Sequence, residues 1–451
     1  MKRLLKILLV AIMVLSFAGG GFAEGNVRYP DEVLPEMANP EYWTALREIP
    51  DYVLLDLESI QKINNQIVSE GETNHVVDLE QVTEIPEVTK VETFDRELYL
   101  DGELIDEVAM TLLMNKSIEI LPEFLYAVTT QRAHLRTWPI AKFLGYTEND
   151  PDDELQNSIL EINSPVIISE KCNFFGHLFY FCQSEFLSGW IDSSELAVCK
   201  SREEWLEAWK VDIFAKDFLV VCQDKIVLEP MLYEPEISEV ELRLGSVLKL
   251  VPEDEIPESV GEREGTLFNY VVYLPTRNEK GMYVRKIALI PARNHVSIGY
   301  LPYTEANLTK VAFELLGSRY GWGGTMKSYD SSLFNRQVYR CFGLKIPTNT
   351  TWQKSIKDYA VDLSEMTEAE KLEYIKKIPL GSILYIKGCS LQYIGCIGDM
   401  PYVISDIGVF SNSQGEVNSR RYYTVSIIPL SARRRDGETF LSSLNYVLRF
   451  K

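Results

Sequence analysis

The chain has 451 residues and a formal net charge of −21, and 46% of its residues are hydrophobic. That hydrophobic content is ordinary for globular proteins, and at roughly 150 residues per domain the length predicts about three domains. A chain this acidic is repelled by phosphate backbones and by anionic surfaces, which argues against nucleic-acid binding.

The first 23 residues have the pattern of an export signal. Lys2, Arg3 and Lys6 form a basic start, an apolar run follows over 4–18, and small residues lead to a cleavage site after Ala23. The apolar run is shorter than the ~20 residues that a bilayer-spanning helix needs. We therefore expect a signal peptide at 1–23, no membrane span after its removal, and a mature protein in the periplasm, the cell wall or outside the cell.

The next stretch, residues 24–121, is acidic and favours helix. Leu57, Ile60, Asn64 and Ile67 follow helical spacing, and Asp56 stands where a cap would lie. From about 122 to 300 the pattern changes to short strands separated by turns, which is typical of small barrels or sandwiches. The stretch is long enough for two such barrels.

The last 150 residues show helices followed by strands, an α+β pattern. Asn307 is expected to cap the first helix, and Thr367 with Glu370 forms a capping-box sequence before a later one. Strand-like runs at 382–387, 391–397, 402–405 and 422–428 then indicate an antiparallel sheet.

The chain has an odd number of cysteines, so they cannot all pair with one another. They are Cys172, Cys182, Cys199, Cys222, Cys341, Cys389 and Cys396. None has C-x-x-C spacing, and several lie in apolar runs, so buried thiols are favoured over disulfides, although export permits disulfides. We expect no metal site and no cofactor.

Several short patterns near the C-terminus occur together. They are GYLPYT at 299–304, YGWGG at 320–324, YDSSLF at 329–334, VYRCFG at 338–343 and RRxDG at 433–437. Together they resemble the NlpC-type cell-wall cysteine peptidase family. LRTWP at 135–139 and GWI at 189–191 extend this likeness, because they resemble the first of two bacterial SH3-like domains in some family members.

The resemblance implies a multidomain layout. It consists of a helical N-terminal segment at 24–121, two all-β SH3-like barrels at 122–205 and 206–301, and an α+β papain-like domain at 302–451. The activity it implies is cleavage of peptidoglycan stem peptides between γ-D-glutamate and a diamino acid.

The catalytic positions implied by the family are all substituted. Ser331 stands in place of the nucleophilic cysteine, Cys389 in place of the histidine base, and Ser405 in place of the residue that orients that histidine. Val296 to the C-terminus contains no histidine. Because a nucleophilic hydroxyl at neutral pH needs a base, the substitutions predict a loss of catalysis. Lys387, two residues from Cys389, could replace that base if both lie on one strand face.

Ligand binding could be retained even though catalysis is lost. In the family, the residues that flank the nucleophile hold the free amino end of the stem peptide, and the matching residues are Asp330 and Ser332. Both could instead simply cap a helix. Tyr320 and Trp322 could form an aromatic wall for a ligand, or Trp322 could pack into the core. Tyr126 could face the same cleft.

These patterns predict an exported, inactive homologue of NlpC-type endopeptidases that binds a stem peptide or muropeptide, or regulates wall turnover with another cell-wall protein. Two alternatives remain open. One is an active hydrolase that uses Ser331 with a base other than histidine. The other is an interaction scaffold in which the SH3-like domains bind a partner and the cleft is empty.

Overall fold

The computed structural model describes residues 27–30, 32–85, 96–106, 110, 117–261, 264–410, 420–434 and 436–451. The predicted signal peptide at 1–23 lies outside these ranges. The chain forms two compact units. Unit A contains the residues up to Asp56, Pro302–Tyr320 and Lys357–Lys451, and unit B contains Leu57–Leu301 and Gly321–Ile356. Within the described ranges, no helix has the length and apolarity to cross a bilayer.

The α-helices of the described residues are mostly short. In chain order they are α1 Pro40–Thr44, α2 Leu57–Ser69, α3 Gly71–Asn74, α4 Arg202–Trp209, α5 Glu305–Phe313, α6 Ser331–Arg340, α7 Thr350–Lys354, α8 Glu368–Ile375 and α9 Phe440–Ser443.

The strands before the last third of the chain are β1 Val53–Leu55, β2 Tyr99–Leu100, β3 Glu103–Leu104, β4 Ile118–Thr129, β5 Ala133–Arg136, β6 Leu144–Gly145, β7 Gln156–Leu160, β8 Pro165–Phe174, β9 His177–Gln183, β10 Ser188–Asp192, β11 Leu196–Val198, β12 Phe218–Val221, β13 Lys225–Val227, β14 Glu241–Arg243, β15 Val247–Lys249, β16 Ser259–Val260, β17 Glu264–Gly265, β18 Asn269–Arg277, β19 Tyr283–Pro291 and β20 Val296–Ile298. The remaining strands are β21 Tyr303–Thr304, β22 Ala360–Asp362, β23 Ile383–Ile386, β24 Cys389–Ile397, β25 Met400–Phe410, β26 Arg420–Pro429 and β27 Tyr446–Leu448.

Unit B contains a seven-stranded antiparallel sheet in the order β11-β4-β8-β9-β10-β5-β7. Strands β8 and β9 are joined by Phe175 and Gly176, which have φ angles of 48° and 81°. Two consecutive positive φ angles match a hairpin turn whose twist suits the flanking strands. Inward-facing residues of this sheet, such as Val166 and Ile168, form one buried core.

A second group of strands in unit B covers 218–298. It has a three-stranded sheet, β15-β12-β20, and a long β18–β19 hairpin, and these strands enclose a core of their own. Helix α4 begins after Ser201, and its fully buried Trp205 donates from Nε1 to the Ala127 carbonyl at 3.1 Å. Two barrels were predicted for 122–301. The strand pairings among the described residues leave each sheet open at both ends, so neither stretch forms a closed barrel there.

Unit A is built on a six-stranded antiparallel sheet in the order β22-β27-β23-β24-β25-β26. Helix α8 has the predicted capping box, because Thr367 and Glu370 each bond the other's backbone N–H. The predicted cap of α5 is wrong. Thr304 caps this helix by accepting from the Asn307 N–H at 3.1 Å, while the Asn307 side chain donates to Pro302.

The cysteine prediction is confirmed. None of the seven cysteines, all of which lie in the described ranges, forms a disulfide; five of them are buried, and Cys389 and Cys396 are half-buried.

Candidate functional site

Helix α6 in unit B carries the predicted nucleophile position. Ser331 is its first residue and is only 8% exposed. One turn further along the helix, the side-chain amide of Asn335 donates from Nδ2 to the Ser331 carbonyl at 2.9 Å. The side chain at this position therefore lies at the positive end of the helix, where an anion is stabilised.

Asp330 caps the start of this helix and also accepts a hydrogen bond from the preceding loop. Its Oδ1 accepts from the Ser332 N–H at 2.9 Å, from the Leu333 N–H at 2.9 Å and from the Ser332 hydroxyl at 2.7 Å. Its Oδ2 accepts from the Gly323 N–H at 3.0 Å. A carboxylate oxygen has two lone pairs, so only Oδ2 has room for one further donor. Of the two predicted roles, the described contacts favour the cap.

The glycine-rich loop before α6 packs directly against β7. Gly323 and Gly324 have φ angles of 56° and 85°. A Cβ on Gly323 would lie 2.7 Å from the Gln156 carbonyl oxygen, and one on Gly324 would lie 2.7 Å from Ile159 Cγ2. Both the conformation and the space therefore require glycine.

Trp322, in the same loop, is 50% exposed. Of the two alternatives for Trp322, packing into the core does not fit, because half of the residue's surface remains exposed. An exposed aromatic face beside a helix N-terminus can stack on a planar group of a ligand.

A histidine that the sequence interpretation left unassigned is connected to this loop. His134 Nδ1 lies 3.2 Å from Gln156 Oε1, and Gln156 Nε2 donates to the Gly323 carbonyl at 3.1 Å. Burial, and next the positive charge of Arg132, lower the pKa of His134, so the imidazole is neutral at neutral pH. Only the fold brings His134 near the loop, because it lies almost 200 residues from Asp330 in sequence.

A buried charged group also holds the segment that leads into α6. Glu161 accepts from Gln337 Nε2 at 2.9 Å and lies 3.4 Å from Arg132 Nε. Arg132 in turn donates from Nη2 to the Ser328 carbonyl at 2.9 Å, and its guanidinium stacks over Tyr329 at 4.9 Å. These contacts join the β4–β5 turn and the end of β7 to the segment before α6 and to α6 itself.

The predicted aromatic ligand residues have structural neighbours of their own. The ring of Tyr126 in unit B is half-buried and lies 5.1 Å from that of Trp205. Tyr320 belongs to unit A, where its N–H donates to the Tyr423 carbonyl at 2.9 Å and the two rings meet edge to face at 5.8 Å.

Cys389 and Ser405, the other two family positions, lie on adjacent strands of the unit A sheet. The hydroxyl of Ser405 is fully buried and donates to the Ser390 carbonyl at 2.7 Å. The thiol of Cys389 is half-buried and lies 3.7 Å from the same oxygen. A satisfied, buried hydroxyl has a structural role in the sheet.

The proposed alternative base, Lys387, is not on the strand with Cys389. Strand β23 ends at Ile386 and β24 begins at Cys389, so Lys387 and Gly388 form the connecting turn. The Lys387 side chain is exposed there. The premise that the two residues share one strand face is therefore wrong.

No group of three or more histidine, cysteine, aspartate or glutamate side chains in the described part of the chain is placed to hold a metal ion.

Comparison with known proteins gives a match to solved structures only. No family model matches the sequence, and no curated protein matches it. The structure is similar to an NlpC/P60 endopeptidase from Photobacterium damselae subsp. piscicida, with a TM-score of 0.67 and 14% identity over 94% of this chain and 99% of that one. It also matches an NlpC/P60 family protein from Bacillus cereus ATCC 10987, with a TM-score of 0.47 and 16% identity over 72% and 99%. Over almost its whole length, the chain has the NlpC/P60 fold.

Proposed function

We propose that this protein is a catalytically inactive homologue of NlpC-type peptidoglycan endopeptidases, which binds cell-wall stem peptides or regulates wall turnover. The observation that carries the proposal is the alcohol at the first position of α6, where the family has a thiol. The whole-length likeness to an NlpC/P60 endopeptidase supports the choice of family.

The physical reason for inactivity is the acidity of the nucleophile. The positive end of a helix stabilises an adjacent anion by at most about 2 kcal/mol, and one pKa unit is worth about 1.4 kcal/mol. This stabilisation helps to ionise a thiol. The pKa of an aliphatic hydroxyl is many units higher than that of a thiol, so the hydroxyl needs a base. Position 389 supplies a half-buried thiol in place of an imidazole, and the hydroxyl of Ser405 is engaged with Ser390.

Retained ligand binding is supported by the loop before α6. Its glycines fix the loop against β7, and Trp322 offers a half-exposed aromatic face. The Asp330 carboxylate has one lone pair left for an ammonium group. We assign Trp322 the larger share of the binding energy, because the bonds of Asp330 are already made within the protein.

The finer layout and the location belong to the same proposal. The strands at 118–198 and 218–298 would form two SH3-like domains, and Tyr126 of the first one would contact the ligand. The chain would be exported by its first 23 residues and would act in the periplasm or the cell wall.

The experiment is incubation of the mature chain with purified muropeptides that contain the γ-D-glutamyl–diamino acid bond, followed by mass spectrometry and calorimetric titration. We expect heat of binding and no cleaved product. Release of a γ-D-glutamyl product that disappears in Ser331→Ala would contradict the proposal and favour the active hydrolase. No heat of binding, together with recovery of a wall protein through the β-rich domains, would favour the scaffold.

A restoration experiment tests whether the cleft itself is intact. Ser331→Cys combined with Cys389→His and Ser405→His returns all three family residues. Ser405 is fully buried, so an imidazole needs repacking there, and circular dichroism has to confirm folding first. Hydrolysis by the folded triple variant would support an inherited peptidase cleft.

A further inference from the structure

A small cavity lies beside the C-terminal half of α6, away from the residues assigned above. It has a volume of about 50 Å³ and lies entirely within unit B. Its lining is mainly cationic and aromatic: Arg336, Arg340, Lys345, Glu185, Phe186 and Tyr300.

Arg336 is the unusual member of this lining. Its side chain is 1% exposed, and its Nε and Nη2 have no hydrogen-bond partner among the described residues. Its Nη1 makes only long contacts, at 3.4 Å to Ser158 Oγ and 3.5 Å to the Ile159 carbonyl. The guanidinium stacks over the Phe186 ring at 4.3 Å. A buried cation with unpaired donors is costly unless an anion is present.

The charges around the cavity do not balance. Three cations face it, and the single carboxylate in the lining, Glu185, is already paired with Lys345 at 2.5 Å. Burial, and next the positive charge of Arg340, lower the pKa of Arg336 to about 9. The nearby Glu161 is bonded to Gln337 and lies against Arg132. The residues that line this cavity therefore carry a net positive charge.

We propose that this cavity is a binding site for one small inorganic oxyanion of the size of phosphate. Holding a single water needs roughly 10–15 Å³ of such space, so the cavity suits a few waters or one tetrahedral oxyanion, and it excludes an amino acid. Guanidinium groups bind oxyanions through paired, charge-assisted hydrogen bonds, which Arg336 and Arg340 can supply. The site is independent of the proposed function, because it uses neither Ser331 nor Trp322.

The bound anion would stabilise the helix that carries Ser331. Arg336 and Arg340 lie on the second half of α6, and Lys345 follows it. An anion held by all three would compensate the buried charge and tie the end of this helix to the Glu185–Phe186 segment.

The test is titration of the full chain with inorganic phosphate, and separately with sulfate, at an ionic strength held constant with sodium chloride. Isothermal titration should show saturable binding at one site, and the unfolding temperature should rise with phosphate. Arg340→Gln removes a partly exposed cation, so it should fold normally and bind phosphate roughly ten- to a hundredfold more weakly. Arg336→Gln, if it folds, should not bind.

The matched control is Arg293→Gln, which removes the same charge from a side chain that is 75% exposed, in another part of unit B. It should bind phosphate like the native chain. The proposal is overturned if neither oxyanion binds saturably, or if Arg293→Gln weakens binding as much as Arg340→Gln does. It is also overturned if phosphate raises the unfolding temperature of Arg340→Gln as much as that of the native chain.

Discussion

Replacing Asp330 by alanine separates its two predicted roles. The change removes the N-cap acceptor of α6, which bonds the Ser332 and Leu333 N–H groups at 2.9 Å each, and it removes the acceptor of the Gly323 N–H at 3.0 Å. Loss of a cap costs about 1 kcal/mol, and an unsatisfied, partly buried N–H adds about 1 kcal/mol or more. We expect the free energy of unfolding to fall by about 2–3 kcal/mol.

The measurement is urea denaturation followed by tryptophan fluorescence, with hydrogen exchange reporting on the amides of α6. Asp330→Asn keeps one oxygen acceptor and should cost only about 1 kcal/mol. The matched control is Ser201→Ala, which removes the acceptor of one backbone bond, from the Glu204 N–H at 3.3 Å, at the exposed start of α4 in the same unit. It should cost about 0.5–1 kcal/mol. An unfolding midpoint for Asp330→Ala equal to that of the native chain, combined with loss of muropeptide binding, would show that the carboxylate serves the ligand instead.

Three other predictions concern single positions. Gly324→Ala should destabilise the chain by about 2–4 kcal/mol in thermal unfolding, because its φ is 85° and the new Cβ meets Ile159. The control Gly176→Ala, at a φ of 81° with open space around the new Cβ, should cost only about 1 kcal/mol. Equal losses of stability in the two variants would refute the steric argument. Trp322→Ala should change the free energy of unfolding by less than about 0.5 kcal/mol but weaken muropeptide binding about tenfold in titration. Unchanged affinity would show that Trp322 does not form an aromatic wall for the ligand. Burial raises the pKa of Glu195 from 4.5 to about 8, so the native state holds this proton more tightly than the unfolded state does, and its contribution to stability should fall as the pH rises from 4.5 to about 8. Glu195→Gln should flatten that part of the pH profile of the urea midpoint, and an unaltered profile would contradict the assignment.

Local patterns predicted the elements whose causes lie within a few residues. Helix α2 follows the spacing of Ile60 and Ile67, and the capping box of α8 needs only Thr367 and Glu370. The cap of α5 was missed because Thr304 and Asn307 are both good capping residues, and the helix began three residues earlier than the pattern suggested.

The sequence by itself determined that an alcohol stands where the family has a thiol, and that no histidine follows residue 295. Only the tertiary structure decided how the residues around that alcohol are used. It engaged Asp330 with the loop and the helix, left half of Trp322 in solvent, placed Lys387 in a turn, and buried Arg336 beside an unbalanced set of charges. The reason is physical: a residue's identity sets which bonds it can make, but its partners come from strands and helices far away in sequence, and only packing brings them within reach.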